Sequence, residues 1–321
     1  MDRTSVDWHG YWPAAPTPFG IDGEIDDRTI RELMNHYVRV GVHGVLVNGS
    51  SGEWWAQSKD ERIHVADVAI EEISGRIPVL VGCTAFTAKE VIELAKEAGS
   101  SGAQGILATP PPYASPTQRE ILAYYSEIDA AIDLPLTVYN WPRGTAVEIS
   151  LETAREISDL DHVVAFKNST SNWDSVVNYI EALSDQVRIF GSLINRRGLA
   201  IMRGLGGDGY IDGGGVGAVY AVPFFDAMWN GRFDEAQIMA DQYWKLTSGW
   251  INSDFSGKFG SPSSQLKAAM KMLGQPGGHV RPPLIPTTGR DSLEGIATLL
   301  LDCGLIDEGT LHVAISSSAS N

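Results

Sequence analysis

Three observations predict an α/β fold in which eight parallel strands close into a (β/α)8 TIM barrel carrying a small C-terminal helical appendage. Short apolar runs alternate with helix-like segments eight times between residues 11 and 229. Each run is bounded by turn residues, as expected of strands covered on both faces. Polar, ionisable and glycine-rich stretches gather just after the runs, where barrels of this kind place their chemistry. Right-handed crossovers repeated eight times bring the last strand beside the first. An open doubly wound sheet is the alternative, and it usually needs fewer units.

The first run covers residues 11–19, after which Asp26-Asp27 cap a helix through Ile30, Leu33, Met34 and Tyr37. The second strand is 42–47, and Ser58 caps a helix with Ile63, Val65, Val68 and Ile73 on its apolar face. Residues 77–82 form the third strand, and Thr87 opens a helix that Gly99 closes. The fourth to eighth strands are 105–108, 134–139, 163–166, 187–190 and 209–211, with helices near 117–132, 150–157, 173–183, 195–202 and 219–229. From Arg232 the strands stop; helices over 234–246, 263–273 and 293–301 remain, broken by the proline-rich segment 281–286. The expected division is a catalytic barrel, 1–231, and a helical region, 232–321, whose serine-rich tail at 316–321 is expected to be disordered.

Composition narrows the function classes. With 321 residues, 43% hydrophobic and 20% charged, the chain can bury a sizeable core. A net charge of -16 argues against nucleic acid or an anionic membrane as partner. Cys83 and Cys303 form neither a metal nor a redox spacing, and the seven histidines form no ligand set, so no metal site is expected. The start, Met1 to Asp7, lacks the basic and apolar regions of a signal peptide, and no apolar run is long enough to span a bilayer. A cytoplasmic protein acting on small molecules is the expectation.

At the predicted barrel mouth the second strand is followed by Asn48-Gly49-Ser50-Ser51-Gly52-Glu53 and the fourth by Thr109-Pro110-Pro111-Pro112-Tyr113. The fifth leads to Tyr139-Asn140-Trp141-Pro142-Arg143, the sixth ends in Lys167, the seventh in Gly191-Ser192 and the eighth in Asp212-Gly213-Gly214-Gly215. Taken alone, Lys167 reads as a solvated strand-end lysine, Tyr139 as a core or interface tyrosine, and the Gly49/Gly52 pair as a tight turn. Together they suit imine chemistry on a 2-oxo acid, in which a neutral amine adds to the ketone and the protonated imine becomes an electron sink. The apolar residues before Lys167 are expected to lower its pKa by burial. Small Ser50 and Ser51 beside glycines can supply converging donors to a carboxylate. Glu53 reads as a holder of loop backbone, and the glycine run after the eighth strand as a place where backbone passes close to Lys167.

Four motifs, G-S-S-G-E at 49–53, Y-N-W-P at 139–142, F-K-N-S at 166–169 and R-P-P-L at 281–284, resemble the dihydrodipicolinate synthase/N-acetylneuraminate lyase family of class I aldolases. The similarity runs in order over about residues 10–285. It implies that Lys167 forms the imine with pyruvate, that Tyr139 moves protons to and from the aldol hydroxyl, and that Ser50 and Ser51 hold the pyruvate carboxylate. It further implies that Ser50 bridges Tyr139 to Tyr113, that Tyr113 reaches in from a neighbouring subunit of a homotetramer arranged as a dimer of dimers, and that the backbone of Ile211 lies against pyruvate. Gly191 and Trp141 complete the expected substrate wall. No cofactor is implied beyond the covalent lysine–pyruvate imine.

Two departures bear on the second substrate. Synthases proper resemble Y-N-x-P-x-R, whereas Arg143 here follows Pro142 directly, one residue early, which argues against aspartate semialdehyde as the partner aldehyde. The tyrosine pair expected on the fourth loop is Pro112-Tyr113, with one hydroxyl. Trp54, Trp55 and Trp141 are expected to cluster on the mouth loops, with Trp250 near them, as a pocket for an apolar aldehyde or as interface anchors. The reading is therefore a pyruvate-dependent lyase or synthase that cleaves or forms a 4-hydroxy-2-oxo acid. The alternatives are a 2-oxo-3-deoxy sugar acid dehydratase using the same imine and a non-catalytic pyruvate-binding paralogue.

Overall fold

In the computed structural model, which describes residues 1–309, eight parallel strands close into one barrel in sequence order. They are β1 (Gly10–Ala14), β2 (Val45–Val47), β3 (Val79–Gly82), β4 (Gly105–Ala108), β5 (Leu136–Asn140), β6 (Val163–Asn168), β7 (Arg188–Gly191) and β8 (Gly209–Gly213). Closure is the β1–β8 pairing, which runs from Gly10 opposite Gly209 to Ala14 opposite Gly213. Between the strands lie α1 (Asp27–Val40), α2 (Lys59–Ile73), α3 (Ala88–Ser101), α4 (Gln118–Asp129), the short α5 (Pro142–Thr145), α6 (Leu151–Ser158), α7 (Trp173–Leu183), α8 (Arg196–Gly204) and α9 (Ala218–Trp229). Then come α10 (Phe233–Trp250), α11 (Pro262–Met272) and α12 (Arg290–Asp302). The serine-rich tail lies outside the described residues.

Local chemistry sets most helix starts. Asp26, Ser58, Thr87, Thr117 and Ser150 each accept a backbone N–H of the first turn, and Ser58 and Thr117 complete reciprocal capping boxes with Glu61 and Glu120. Each such cap contributes about 1 kcal/mol. One expected end is corrected: α3 runs through Gly99, which packs on Leu134, and stops at Gly102, whose φ of 94° is the left-handed one. The first strand is also shorter than expected; beyond Ala14 the chain is loop, and Phe19 makes isolated bridges to Ile25 and His279.

Packing divides into two layers. Inside the barrel Trp8, Trp12, Leu46, Leu80, Leu107 and Phe190 form a filled core, and the chain gives room for the indoles at two glycines. A Cβ at Gly44 would meet Trp12 at 2.5 Å, and one at Gly105 would meet Trp8 at 2.5 Å. The larger layer lies between strands and helices, where α10 packs on α8 and α9.

The C-terminal segment is tied back to the mouth. Lys267 of α11 is buried and pairs with Glu53 at 2.6 Å, while its ammonium also donates to the carbonyls of Thr17 and His279 at 2.7 and 2.6 Å. Arg281 donates to both carboxylate oxygens of Glu61, to the carbonyls of Gly23 and Ala56, and through its backbone N–H to Glu53. The R-P-P-L stretch thus clasps the β1–α1 loop and the start of α2 from outside.

Candidate active site

Strand alternation aims the lysine. Phe166 turns outward onto Tyr179, at 5.6 Å between rings, so the next residue, Lys167, turns into the barrel, where it is 7% exposed. Burial pulls the Lys167 amine down from the usual 10.5 to about 7, with the charge of Asp212 on β8 pulling the other way. Tyr139 stands on the same rung of the neighbouring strand, and the Lys167 Nζ lies 4.1 Å from its ring centroid. Burial raises the Tyr139 phenol, offset in part by the Ser169 hydroxyl, so the phenol keeps its proton at neutral pH. The rung above is braced: Asn140 donates to the Asn168 side chain at 2.9 Å and accepts from the N–H of Ile149 at 3.0 Å.

The serine turn is built from two left-handed residues flanking one tight 3-10 turn. Asn48 has φ 54° and Glu53 φ 56°, and Ser50 to Gly52 make the turn between them. Asn48 donates to the carbonyl of Arg62 at 2.7 Å, fixing the entry, and Glu53 fixes the exit through Lys267 and the Arg281 N–H. The turn closes on β8: a Cβ at Gly213 would come within 3.1 Å of the Ser51 Oγ. Hydroxyls and free N–H groups at such a turn suit a carboxylate.

The remaining expected residues divide. Ile211 is buried inside the barrel, and Gly191 ends β7 opposite Asn168. Trp141 stacks on Tyr139 with ring centroids 5.7 Å apart and planes 9° from parallel. A Cβ at Gly144 would lie 2.1 Å from that indole, so α5 seats directly on it. Tyr113 is 94% exposed at φ 71°, pointing into solvent from the β4 loop.

Two expectations are corrected. The tryptophans do not form one cluster: Trp54 contacts Trp55, Phe86 and the Arg62 guanidinium, while Trp141 contacts Tyr139. Trp250 is buried at the end of α10, its carbonyl accepting from Lys258 and Gln265. A Cβ at Gly213, Gly214 or Gly215 would come within 3.1 Å of Ser51, 2.4 Å of Leu266 and 2.8 Å of Tyr37, so these glycines leave room for side chains packed at the end of β8. Glu53 holds backbone, as expected, and also pairs with Lys267. Arg143 donates to the carbonyl and carboxylate of Asp254, at 3.1 and 3.2 Å.

Asp212 does not stand out in the sequence, where the three glycines after it are the more conspicuous feature. Its signal was an acidic side chain one residue past an apolar strand residue, Ile211. Lys267 gave no signal, since a lysine midway through a polar helix face is ordinarily solvated. Among the described residues no cluster of His, Cys, Asp or Glu is arranged to hold a metal, and both cysteines are free and buried. None of the described helices is long and apolar enough to cross a membrane.

Fold and site together place the protein among the carbon–carbon lyases and synthases that work from the mouth of a (β/α)8 barrel. The sequence model of the dihydrodipicolinate synthetase family matches residues 7–299, and the chain belongs to that family. It is 32% identical over 283 residues to an uncharacterized DapA-like lyase of Rhizobium meliloti, covering 88% of this chain and 91% of the relative. It is 30% identical over 284 residues to a 4-hydroxy-tetrahydrodipicolinate synthase of Haloarcula marismortui, covering 88% and 89%. Among solved structures, a dihydrodipicolinate synthase from Thermotoga maritima superposes with TM-score 0.84 at 26% identity, covering 93% of this chain and 99% of that one. A chloride-inhibited dihydrodipicolinate synthase from Acinetobacter baumannii, solved in complex with pyruvate, gives TM-score 0.83 at 25% identity over 93% and 99%.

Proposed function

We propose that the protein is a pyruvate-dependent aldolase that cleaves or forms a 4-hydroxy-2-oxo acid through an imine on Lys167. The observation that carries the reading is the buried amine at a pKa of about 7 lying 4.1 Å from the Tyr139 ring. Near neutral pH roughly half of that amine is free to add to a ketone, against about one part in a few thousand for an ordinary lysine. Addition to C2 of pyruvate and loss of water give the protonated imine. Loss of a proton from C3 gives the enamine, which attacks the aldehyde carbon, and the Tyr139 phenol delivers its proton to the new alkoxide. Hydrolysis of the imine returns Lys167, and the reverse order cleaves the product. The Ser50–Ser51 turn takes the pyruvate carboxylate, and no further cofactor takes part.

We further infer that the aldehyde is apolar or aromatic, and that the protein is not a dihydrodipicolinate synthase proper. Arg143, the candidate for an anionic second substrate, is engaged with Asp254, while Trp141 offers an aromatic face beside Tyr139. The exposed Tyr113 supports a homotetramer, a dimer of dimers in which it completes a neighbour's site. The low cysteine content fits a cytoplasmic enzyme. Borohydride added with pyruvate should attach one reduced pyruvyl group to the native protein and none to Lys167→Ala. Label retained in the variant refutes the imine assignment. Incubation with pyruvate and a panel of aldehydes, read by mass spectrometry, then identifies the acceptor; aspartate semialdehyde as the best one refutes the pocket assignment.

A further inference from the structure

The serine turn is braced from the C-terminal helices, and the brace is ionic. Glu53, on which the turn ends, is fully buried and stands at φ 56°, a left-handed conformation that a residue with a side chain keeps only where its surroundings impose it. Its N–H donates to the carbonyl of Ser50 at 3.1 Å, and its own carbonyl accepts the N–H of Ala56 at 2.9 Å. Both carboxylate oxygens are engaged as well: Oε1 pairs with the Lys267 ammonium at 2.6 Å, and Oε2 accepts the Arg281 N–H at 3.1 Å. Lys267 is fixed in turn by the carbonyls of Thr17 and His279, at 2.7 and 2.6 Å, so each of its three donors has a partner.

The neighbours of this pair converge on the same turn. Gln57 donates to the Gly52 carbonyl at 2.7 Å and to Thr17 Oγ1 at 3.1 Å, and a Cβ at Gly52 would come within 3.2 Å of the Ala15 carbonyl. Leu266, next to Lys267 on α11, would meet a Cβ at Gly214 at 2.4 Å, while a Cβ at Gly213 would lie 3.1 Å from the Ser51 Oγ. The turn is therefore packed against β8 and the loop after β1, and its exit is pinned by α11. Lys167 stands on β6, whose rungs with β5 and β7 include none of these groups.

We propose that Lys267 is a positioning residue for pyruvate: acting through Glu53, it sets the Ser50–Ser51 turn to receive a carboxylate, so that α11 tunes the preference for a 2-oxo acid over a neutral ketone. The proposal rests on the reading of that turn as the seat of the pyruvate carboxylate. Hydroxyl and N–H donors favour a carboxylate only when they converge on it at hydrogen-bonding distance and angle. A three-residue turn has few bonds of its own with which to hold that convergence. A buried ion pair whose donors and acceptors are all matched selects one geometry, and removing one partner disrupts it strongly. Cutting the strut should therefore loosen carboxylate recognition and leave the amine on β6 able to form an imine.

The test uses the full-length protein with pyruvate and with acetone, in which a methyl group replaces the carboxylate. Imine trapping by cyanoborohydride, read by intact mass, gives a half-saturating concentration and a maximal rate for pyruvate and a second-order rate for acetone. Lys267→Met should raise half-saturation for pyruvate about tenfold, with the maximal rate and the acetone rate within about twofold of wild type. Met270→Ala is the control for general loosening, because Met270 is fully buried on the same helix and packs on Gly277. It should lose stability and leave the pyruvate curve in place; a shift as large as that of Lys267→Met overturns the proposal. If Lys267→Met does not fold, Glu53→Gln replaces it and should raise half-saturation for pyruvate by about threefold or more. The sign of that change separates position from charge, since Glu53→Gln leaves the Lys267 cation in place and an effect of charge alone would tighten pyruvate. Tighter or unchanged pyruvate binding in Glu53→Gln overturns the proposal, as does an unmoved pyruvate curve in folded Lys267→Met or an acetone rate that falls in step with it. A wild type that traps acetone as efficiently as pyruvate would refute the turn as the carboxylate's seat, and the proposal with it, whereas a wild type that traps neither would refute the imine reading.

Discussion

Two lysines are buried in this chain, and they are opposites. Lys267 is wrapped: its three N–H donors meet Glu53, Thr17 and His279, and the amine sits 4.9 Å from the Phe19 ring. Lys167 has the Tyr139 ring at 4.1 Å, and its burial is opposed only by the charge of Asp212, which makes no ion pair with it among the described residues. Burial lowers both amines below the usual lysine value. Burial therefore does not by itself make a nucleophile; a lone pair must also be left without a partner, and only Lys167 meets that condition.

The sharpest test of the contrast is replacement of each. Lys167→Ala should abolish pyruvate trapping and turnover in a protein that remains folded, whereas Lys267→Met should keep the chemistry in whatever fraction folds. Lys267→Met should lose about 3–5 kcal/mol of stability, because Glu53 stays buried without its partner; chemical denaturation measures it. If Lys267→Met is as stable as the wild type but inactive, the roles have been assigned the wrong way round.

The two substitutions should also differ in sign. Lys167 has a folded pKa of about 7 against 10.5 unfolded, so between these values the unfolded chain binds more protons and stability rises with pH. Lys167→Met removes that penalty and should raise Tm at pH 7, with the gain over wild type shrinking as pH climbs toward 10.5. Thermal melts across that range check it. Below that window, as pH rises toward about 7, the rate of imine trapping by the wild type should rise about tenfold per unit, and within the window it should level off. A trapping profile with its midpoint near 10 would mean that Lys167 is solvated in solution.

Smaller effects test the pocket wall. Trp141→Ala should raise KM for an aromatic aldehyde about tenfold while leaving pyruvate trapping nearly unchanged, since the indole stacks on Tyr139 and belongs to the β5 loop, whereas the pyruvate carboxylate is assigned to the serine turn after β2. Arg143→Ala should change kcat/KM by less than about threefold, because its partner Asp254 is an exposed loop carboxylate. A hundredfold loss with an anionic aldehyde would instead put the guanidinium on the substrate.

What could be read from the sequence follows the range of the interactions. Caps such as Ser58 with Glu61 lie three residues apart, and strands are apolar runs of a few residues, so eight units and most helix starts were legible. Lys167 and Tyr139 were legible because each ends an apolar run, and adjacent parallel strands had to bring them together. The partners that define the other groups are remote: Asp212 meets Tyr11 across 201 residues, Lys267 meets Thr17 across 250, and Arg143 meets Asp254 across 111. Nothing local marks such contacts. The tryptophans failed for a related reason, since proximity on neighbouring loops does not fix which way an indole turns. The end of α3 failed because either glycine in Gly99-Ser100-Ser101-Gly102 could take the left-handed position, and packing of Gly99 on Leu134 decided it.

The clasp formed by α11 and Arg281 also sets an order of events during synthesis. The backbone N–H of Arg281 that closes on Glu53 is added to the chain 228 residues after that carboxylate. By then all eight strands have left the ribosome, so the nascent barrel carries a serine turn whose exit has no counter-ion and whose neighbouring loops are unclasped. A chain stalled before α11 should accordingly be cut by protease near residues 48–57 while its strands resist, and release of the last helices should close that site. The catalytic mouth is thus the last part of the barrel to set, although its serine turn is among the first parts made.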